Sequence, residues 1–195
     1  MGYETKILNL FKNGYLKTND VVNNNIPRSY LTKLIKEGKI ERVSRGVYIN
    51  KNDLVDEFVI LQSKSKNAIY SNTTALYLYG YSNRIPIKYD ITINNGYNGS
   101  LQKNKNVNLF YIKKDLLYLG VTNYKLDSGN IIRIYDLERT ICDIIKNKKK
   151  IDAEIFNKAI REYFYSKKKN TLKLYEYAKK MNIYNKVRTT FEVLQ

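Results

Sequence analysis

Residues 28–50, RSYLTKLIKEGKIERVSRGVYIN, constrain the fold of this chain more than any other stretch. Leu31, Leu34 and Ile35 fall at helical spacing, which predicts a helix with one apolar side. Gly38 suits the left-handed position that closes a helix. KIERVSRGVYI then alternates around Gly46, the pattern of a two-stranded hairpin. A hydrophobic core has no use for arginines at a hairpin tip, whereas phosphates attract them.

The residues upstream supply two more short helices. YETKILNLFK, residues 3–12, places Ile7, Leu8 and Phe11 on one side and ends at Asn13-Gly14. Thr18 is a suitable N-cap for NDVVNNN, with Asp20 in its first turn. Ile26-Pro27 opens the third helix, where a missing N–H has no cost. The first fifty residues thus read helix, helix, turn, helix, hairpin, the order of a winged helix-turn-helix. The third helix would bury Leu31, Leu34 and Ile35 and present Arg28, Ser29, Tyr30, Thr32, Lys33 and Lys36 to a major groove. Arg42, Ser44 and Arg45 at the hairpin would reach phosphates or a minor groove. The alternative is a small helical module whose basic face is merely solvated, or a winged helix that binds protein.

Residues 51–64 read as a linker helix capped by Asp53, with Leu54, Phe58 and Leu61 as its stripe. NAIYSNTTALYLYGYS suggests a strand, then a helix capped by Ser71 and closed by Gly80. IPIKYDITINNGY alternates as a half-buried strand and turns at Asn94-Asn95-Gly96. NVNLFYI and NIIRIY are further strands, and DLERTICDIIKN and DAEIFNKAIREYF are helices capped by Asp136 and Asp152. Two short helices follow near 172–181 and 185–194. The fold class is therefore α+β: a winged helix-turn-helix over 1–50, the linker helix 51–64, and a mixed α+β domain over 65–195 that ends in helices.

The chain has no histidine, which removes Ser–His and Cys–His nucleophile pairs and the usual general base. With one cysteine, Cys142, a zinc site and an intrachain disulfide both lack ligands, and burial in TICDII is the expected role of that thiol. Neither phosphate-binding glycine loop occurs. No cofactor or metal is expected. Asp90, Asp136, Glu138 and Asp143 remain as carboxylates that a metal-dependent nuclease or nucleotidyl enzyme would need, although helix capping accounts for Asp136 and Glu138. Glu138-Arg139 also suggests an internal ion pair with another part of the domain. The tyrosines at 70, 77, 79 and 81 offer base stacking or, more simply, packing.

The net charge of +17 favours an anionic partner, nucleic acid above all, although A/T-rich codons alone would enrich lysine. The charge is uneven: +5 over residues 1–50, +3 over 51–145 and +9 over 146–195. Lysines cluster at 146–150 and 167–169, either as helix-end charges or as a second basic surface for DNA flanks or RNA. No apolar run is long enough to span a bilayer, and MGYETKILNLFKNG lacks the core of a signal peptide; Lys6 also spoils a myristoylation signal. A reducing cytoplasm, without a membrane partner, is the expected setting.

Three segments carry a resemblance: IPRSYLTKLIKEGKIERVSRGVY, IYSNTTALYLYGYSNRIPIKYDITI and IRIYDLERTICDIIKNKKKIDAEIFNKAIREYF. In order and spacing they resemble the AbiEi-type antitoxins of bacterial type IV toxin–antitoxin, abortive-infection systems. The resemblance implies a winged helix followed by an antitoxin domain. It implies a non-enzymatic repressor that binds repeats in its own promoter, double-stranded DNA with inverted repeats. It also implies a nucleotidyltransferase-like toxin, opposed without a stable complex, in phage defence. An RNA- or protein-interaction module is the further alternative.

Overall fold

The computed structural model describes residues 2–11, 14–51 and 56–193. The chain forms two compact units, one of Met1–Lys66 with Tyr124–Ile132, the other of Asn67–Asn123 with Arg133–Gln195. The architecture is α+β, with the winged arrangement at the N-terminal end and helices at the C-terminal end.

The first unit begins with α1 (Tyr3–Asn9), β1 (Tyr15–Lys17), α2 (Thr18–Asn23) and α3 (Ser29–Lys36). It continues with β2 (Ile40–Ser44), β3 (Val47–Asn50) and α4 (Glu57–Ser63). Its core gathers Ile7, Leu16, Val21, Ile26, Leu31, Leu34, Ile40 and Tyr48. Each fully buried leucine there contributes roughly 1.5–3 kcal/mol relative to exposure. The hairpin is one strand wider than the sequence pattern suggests. β1 pairs antiparallel with β3, Leu16 opposite Tyr48, giving the order β1-β3-β2. Three residues are too few for a periodic signal, so only the pairing partner reveals this strand.

Several local expectations shift. Thr18 is the first helical residue of α2, and its start is held by Asp20, which accepts the Lys17 N–H at 3.1 Å. The third helix begins at Ser29; Pro27 and Arg28 form a turn ahead of it, their carbonyls accepting from Tyr30 and Leu31. Ile35 is 38% exposed, so the buried seam of α3 is Leu31 and Leu34 alone. Leu8 is likewise exposed. Asp53 and Leu54 lie outside the described residues. The N-cap of α4 is Asp56, which accepts from the Phe58 N–H at 3.1 Å and from the Ser128 hydroxyl at 2.8 Å.

The second unit carries β4 (Ile69–Tyr70), α5 (Asn72–Leu78), β5 (Tyr89–Asn94), β6 (Val107–Ile112) and α6 (Lys114–Leu117). Then come β7 (Val121–Lys125) and β8 (Ile131–Tyr135), of which the end of β7 and the start of β8 fall in the Tyr124–Ile132 segment grouped with the first unit, and α7 (Leu137–Lys146), α8 (Ala153–Tyr165), α9 (Thr171–Lys180) and α10 (Tyr184–Glu192). The strand order is β6-β5-β4-β8-β7. β4 runs antiparallel to β5, while β5 runs parallel to β6 and β4 parallel to β8. The half-buried reading of β5 is corrected: Asp90, Ile91, Thr92 and Ile93 are all buried, as befits a strand covered on both faces, and Ile87 lies outside it, 94% exposed. Ser71 occupies the N-cap position of α5 but makes no capping bond; its hydroxyl accepts from Thr92 at 2.8 Å. Asp136 and Asp152 cap α7 and α8 as the sequence indicates. Helices α7 to α10 enclose an apolar core around Ile141, Cys142, Ile144, Tyr163 and Phe191.

Candidate nucleic-acid interface

Helix α3 is set by its two ends. Leu31 and Leu34 pin one side to the core. At its C-terminus the Lys39 N–H reaches the Leu34 carbonyl and the Gly38 N–H the Ile35 carbonyl, both at 3.0 Å, with Gly38 at φ +67°. This Schellman closure satisfies carbonyls that the helix leaves unpaired. It also turns the chain so that Ile40 enters the core at the start of β2. The glycine between α3 and the wing is therefore the residue that lets one follow the other directly.

The outer face of α3 carries Arg28, Ser29, Thr32 and Lys36, all exposed. Arg28, Thr32 and Lys36 are four residues apart, so they form one stripe. Tyr30 is different. It is half-buried, packed on the core, and meets the Tyr3 ring edge-on at 5.0 Å. Its phenol belongs to the seam between α1 and α3 as much as to the outer face.

Lys33 is exposed but engaged. Its ammonium sits 2.5 Å from Glu4 and 3.7 Å from Glu37. Lys39 lies 3.1 Å from Glu4 and 2.8 Å from Glu37. The hydrogen bond from Lys33, then that from Lys39, holds the Glu4 carboxyl below its ordinary range. Glu4 in turn raises Lys33, and Glu37 followed by Glu4 raises Lys39. The four charges cancel. Glu4 is 29 residues from Lys33 in sequence, so no local pattern marks this pairing.

On the wing, Arg42 lies opposite Tyr48, and the register slips between Arg42 and Ser44. The Arg42 Nε–H donates to the Ser44 carbonyl at 3.3 Å, which lays that side chain along the strand. Ser44 is half-buried and Arg45 exposed at the turn. Gly46 has φ +74°, and its carbonyl accepts from the Thr18 N–H at 2.9 Å. A side chain at 46 would come within 3.2 Å of the Thr18 hydroxyl, so the turn that carries Arg45 is docked against the start of α2.

The carboxylates of the enzymatic alternative do not converge. Asp90 is buried, accepts from Asn108 at 3.0 Å and from the Thr73 N–H at 2.9 Å, and is pushed up by that burial. Asp136 caps α7 and accepts from the Tyr177 hydroxyl at 3.0 Å and Lys173 at 2.9 Å. Glu138 accepts from the Asn170 N–H at 3.1 Å. Asp143 faces the Arg139 Nε at 3.2 Å; burial pushes its carboxyl up while the guanidinium opposes that. Of the ion pair suggested for Glu138-Arg139 with another part of the domain, Glu138 has the Lys173 ammonium of α9 at 3.7 Å, whereas Arg139 pairs within its own helix with Asp143, one turn on. Among the described residues no three acidic or cysteine side chains stand at metal-binding spacing. Tyr70 is fully buried, Tyr79 donates to the Tyr135 carbonyl at 3.0 Å and Tyr81 packs on the helical core, so these rings serve packing.

The comparisons with known proteins bear on the same segment. Residues 6–51 match the family model described as transcriptional regulator, AbiEi antitoxin. The AbiEi match spans β1, α2, α3 and the β2–β3 wing, and contains all nine residues from Arg28 to Arg45 singled out above. No curated protein matches the chain. Its structure is similar to the crystal structure of the RV2827C protein from Mycobacterium tuberculosis, with a TM-score of 0.60 at 11% identity. That likeness covers 85% of this chain and 66% of the other, and it is a likeness of fold. In the described residues no helix is long and apolar enough to cross a membrane.

Proposed function

We propose that the chain is a cytoplasmic, non-enzymatic DNA-binding repressor that regulates its own operon and serves as the antitoxin of a type IV system. In this reading residues 1–50 bind DNA, 51–64 link, and 65–195 form the antitoxin domain. Its toxin would be nucleotidyltransferase-like and opposed without a stable complex. The observation that carries the reading is the exposed Arg28–Thr32–Lys36 stripe on a helix that runs directly into an arginine-bearing wing, inside the segment that matches AbiEi regulators. Arg28, Ser29, Thr32 and Lys36 face the major groove, with Tyr30 at its edge, and Lys33 joins them when released from Glu4. Arg42, Ser44 and Arg45 hold phosphate or enter the minor groove. Inverted repeats in a promoter would need two copies of this module.

A gel shift on the DNA upstream of the chain's own gene, beside a scrambled control and over a salt series, tests this. The expected result is a sequence-preferring shift lost in Arg28→Ala/Arg45→Ala protein. Removing Arg45 alone should flatten the salt slope by about one unit. Equal, weak binding to both DNAs, unaffected by either substitution, overturns the proposal.

A further inference from the structure

The second unit contains a cleft of about 940 Å³ between the C-terminal end of α7, α8 and α10. Six cations line it: Lys146, Lys148, Lys149, Lys150, Arg161 and Lys186. No carboxylate is among its lining residues, and among the described residues none of the six forms an ion pair. Elsewhere in the same unit some cations are neutralised by carboxylates. Arg84 is paired with Glu154, Lys158 with Glu162, Lys173 with Asp136 and Arg188 with Glu192.

The floor is apolar, formed by Ile145, Phe156 and Ile160. A second hollow of about 200 Å³ adjoins the cleft and shares Lys146, Asn147 and Lys150 with it. One of its walls is the half-buried Phe110 ring, over which the Lys150 ammonium stands at 5.6 Å. The one carboxylate lining it, Asp143, is held by Arg139. Cations thus flank an apolar floor in the cleft and an aromatic wall in the adjoining hollow, which together make one recess.

We infer that this recess is a binding site for single-stranded nucleic acid, distinct from the wing. A duplex presents phosphates on a broad convex cylinder with its bases stacked inside. It would rest on the rim and leave the Phe110 ring and the apolar floor uncovered. A single strand can place its phosphates on the lysines while an unstacked base enters against Phe110, the pairing of charge and aromatic surface that such strands select. The site is independent of the repressor reading and stands or falls by itself.

The test uses the full chain carrying Arg28→Ala/Lys36→Ala/Arg42→Ala/Arg45→Ala, so that neither α3 nor the wing contributes its cations. Fluorescence anisotropy is read with labelled oligouridylate, oligothymidylate and a duplex of equal phosphate number, over a salt series. Both single strands, or the RNA alone, should bind more tightly than the duplex; the RNA-to-DNA ratio distinguishes the source of the strand. Adding Lys148→Ala/Lys149→Ala/Lys150→Ala, exposed positions that spare the fold, should reduce the single-strand salt slope by about 2 units, at about 0.7 per phosphate. Phe110→Ala should weaken single-strand binding and leave that slope unchanged. Duplex bound as tightly as single strand, no binding to any probe, or a slope unmoved by loss of the three lysines would overturn the assignment.

Discussion

Glu4→Gln should make the proposed DNA interface bind more tightly. In the native chain Glu4 accepts from Lys33 at 2.5 Å and from Lys39 at 3.1 Å. Removing its charge frees the two lysines unequally. Lys39 keeps Glu37 at 2.8 Å, whereas the contact Lys33 retains with Glu37 is a loose 3.7 Å. Lys33 is therefore the cation released. With Arg28, Lys36, Arg42 and Arg45 on phosphate, one module should show a log–log salt slope of about −3.6, at about 0.9 per contact; adding Lys33 brings it to about −4.5. Counterion release alone then predicts affinity higher by about eightfold at 0.1 M salt and about fourfold at 0.2 M. The assay is anisotropy with a half-site duplex, on wild type, Glu4→Gln, Lys33→Ala and the double variant. The pair lies at the surface, so the fold should be little affected. The gain should vanish in the double variant, because it runs through Lys33. Equal slopes for wild type and Glu4→Gln would refute the reasoning and confine the helix contacts to Arg28, Thr32 and Lys36.

Two further outcomes follow from the ion pairs. Because the folded chain lowers the Glu4 pKa, the cluster's contribution to stability should be fully present above the ordinary glutamate value and lost as pH falls through the lowered one. A titration followed by NMR should show that lowered value return toward normal in Lys33→Ala/Lys39→Ala, and an unmoved value would refute the cause. In the second unit Arg139 is 0% exposed, donates to the Leu116 and Leu119 carbonyls at 3.0 and 2.7 Å and stands over Tyr135 at 4.2 Å. Arg139→Met strands Asp143 and should cost about 3–5 kcal/mol in urea melts, most of it recovered in Arg139→Met/Asp143→Leu; a loss under about 1 kcal/mol would show the pair to be dispensable.

The local pattern of the sequence determined the elements whose signals are short-range. Leu31 and Leu34, Gly38 and the alternation around Gly46 specify helix, stop and wing, because spacing, a left-handed residue and strand periodicity all act within a few positions. Asp136 and Asp152 announce helix starts for the same reason: a cap bonds to N–H groups two or three residues on. Tertiary structure decided what depends on partners far along the chain. β1 exists because β3 is there to pair with it, and Ile35 is exposed because the core was filled by Leu31 and Leu34. Lys33 was legible as an exposed cation, but its capture by Glu4 was not, since a flexible lysine takes whatever carboxylate the fold brings within reach. The C-terminal recess is the same case on a larger scale. Its lysines stand out in the sequence, yet only the packing of α7, α8 and α10 sets Arg161 and Lys186 beside them in a cleft with no carboxylate among its lining residues.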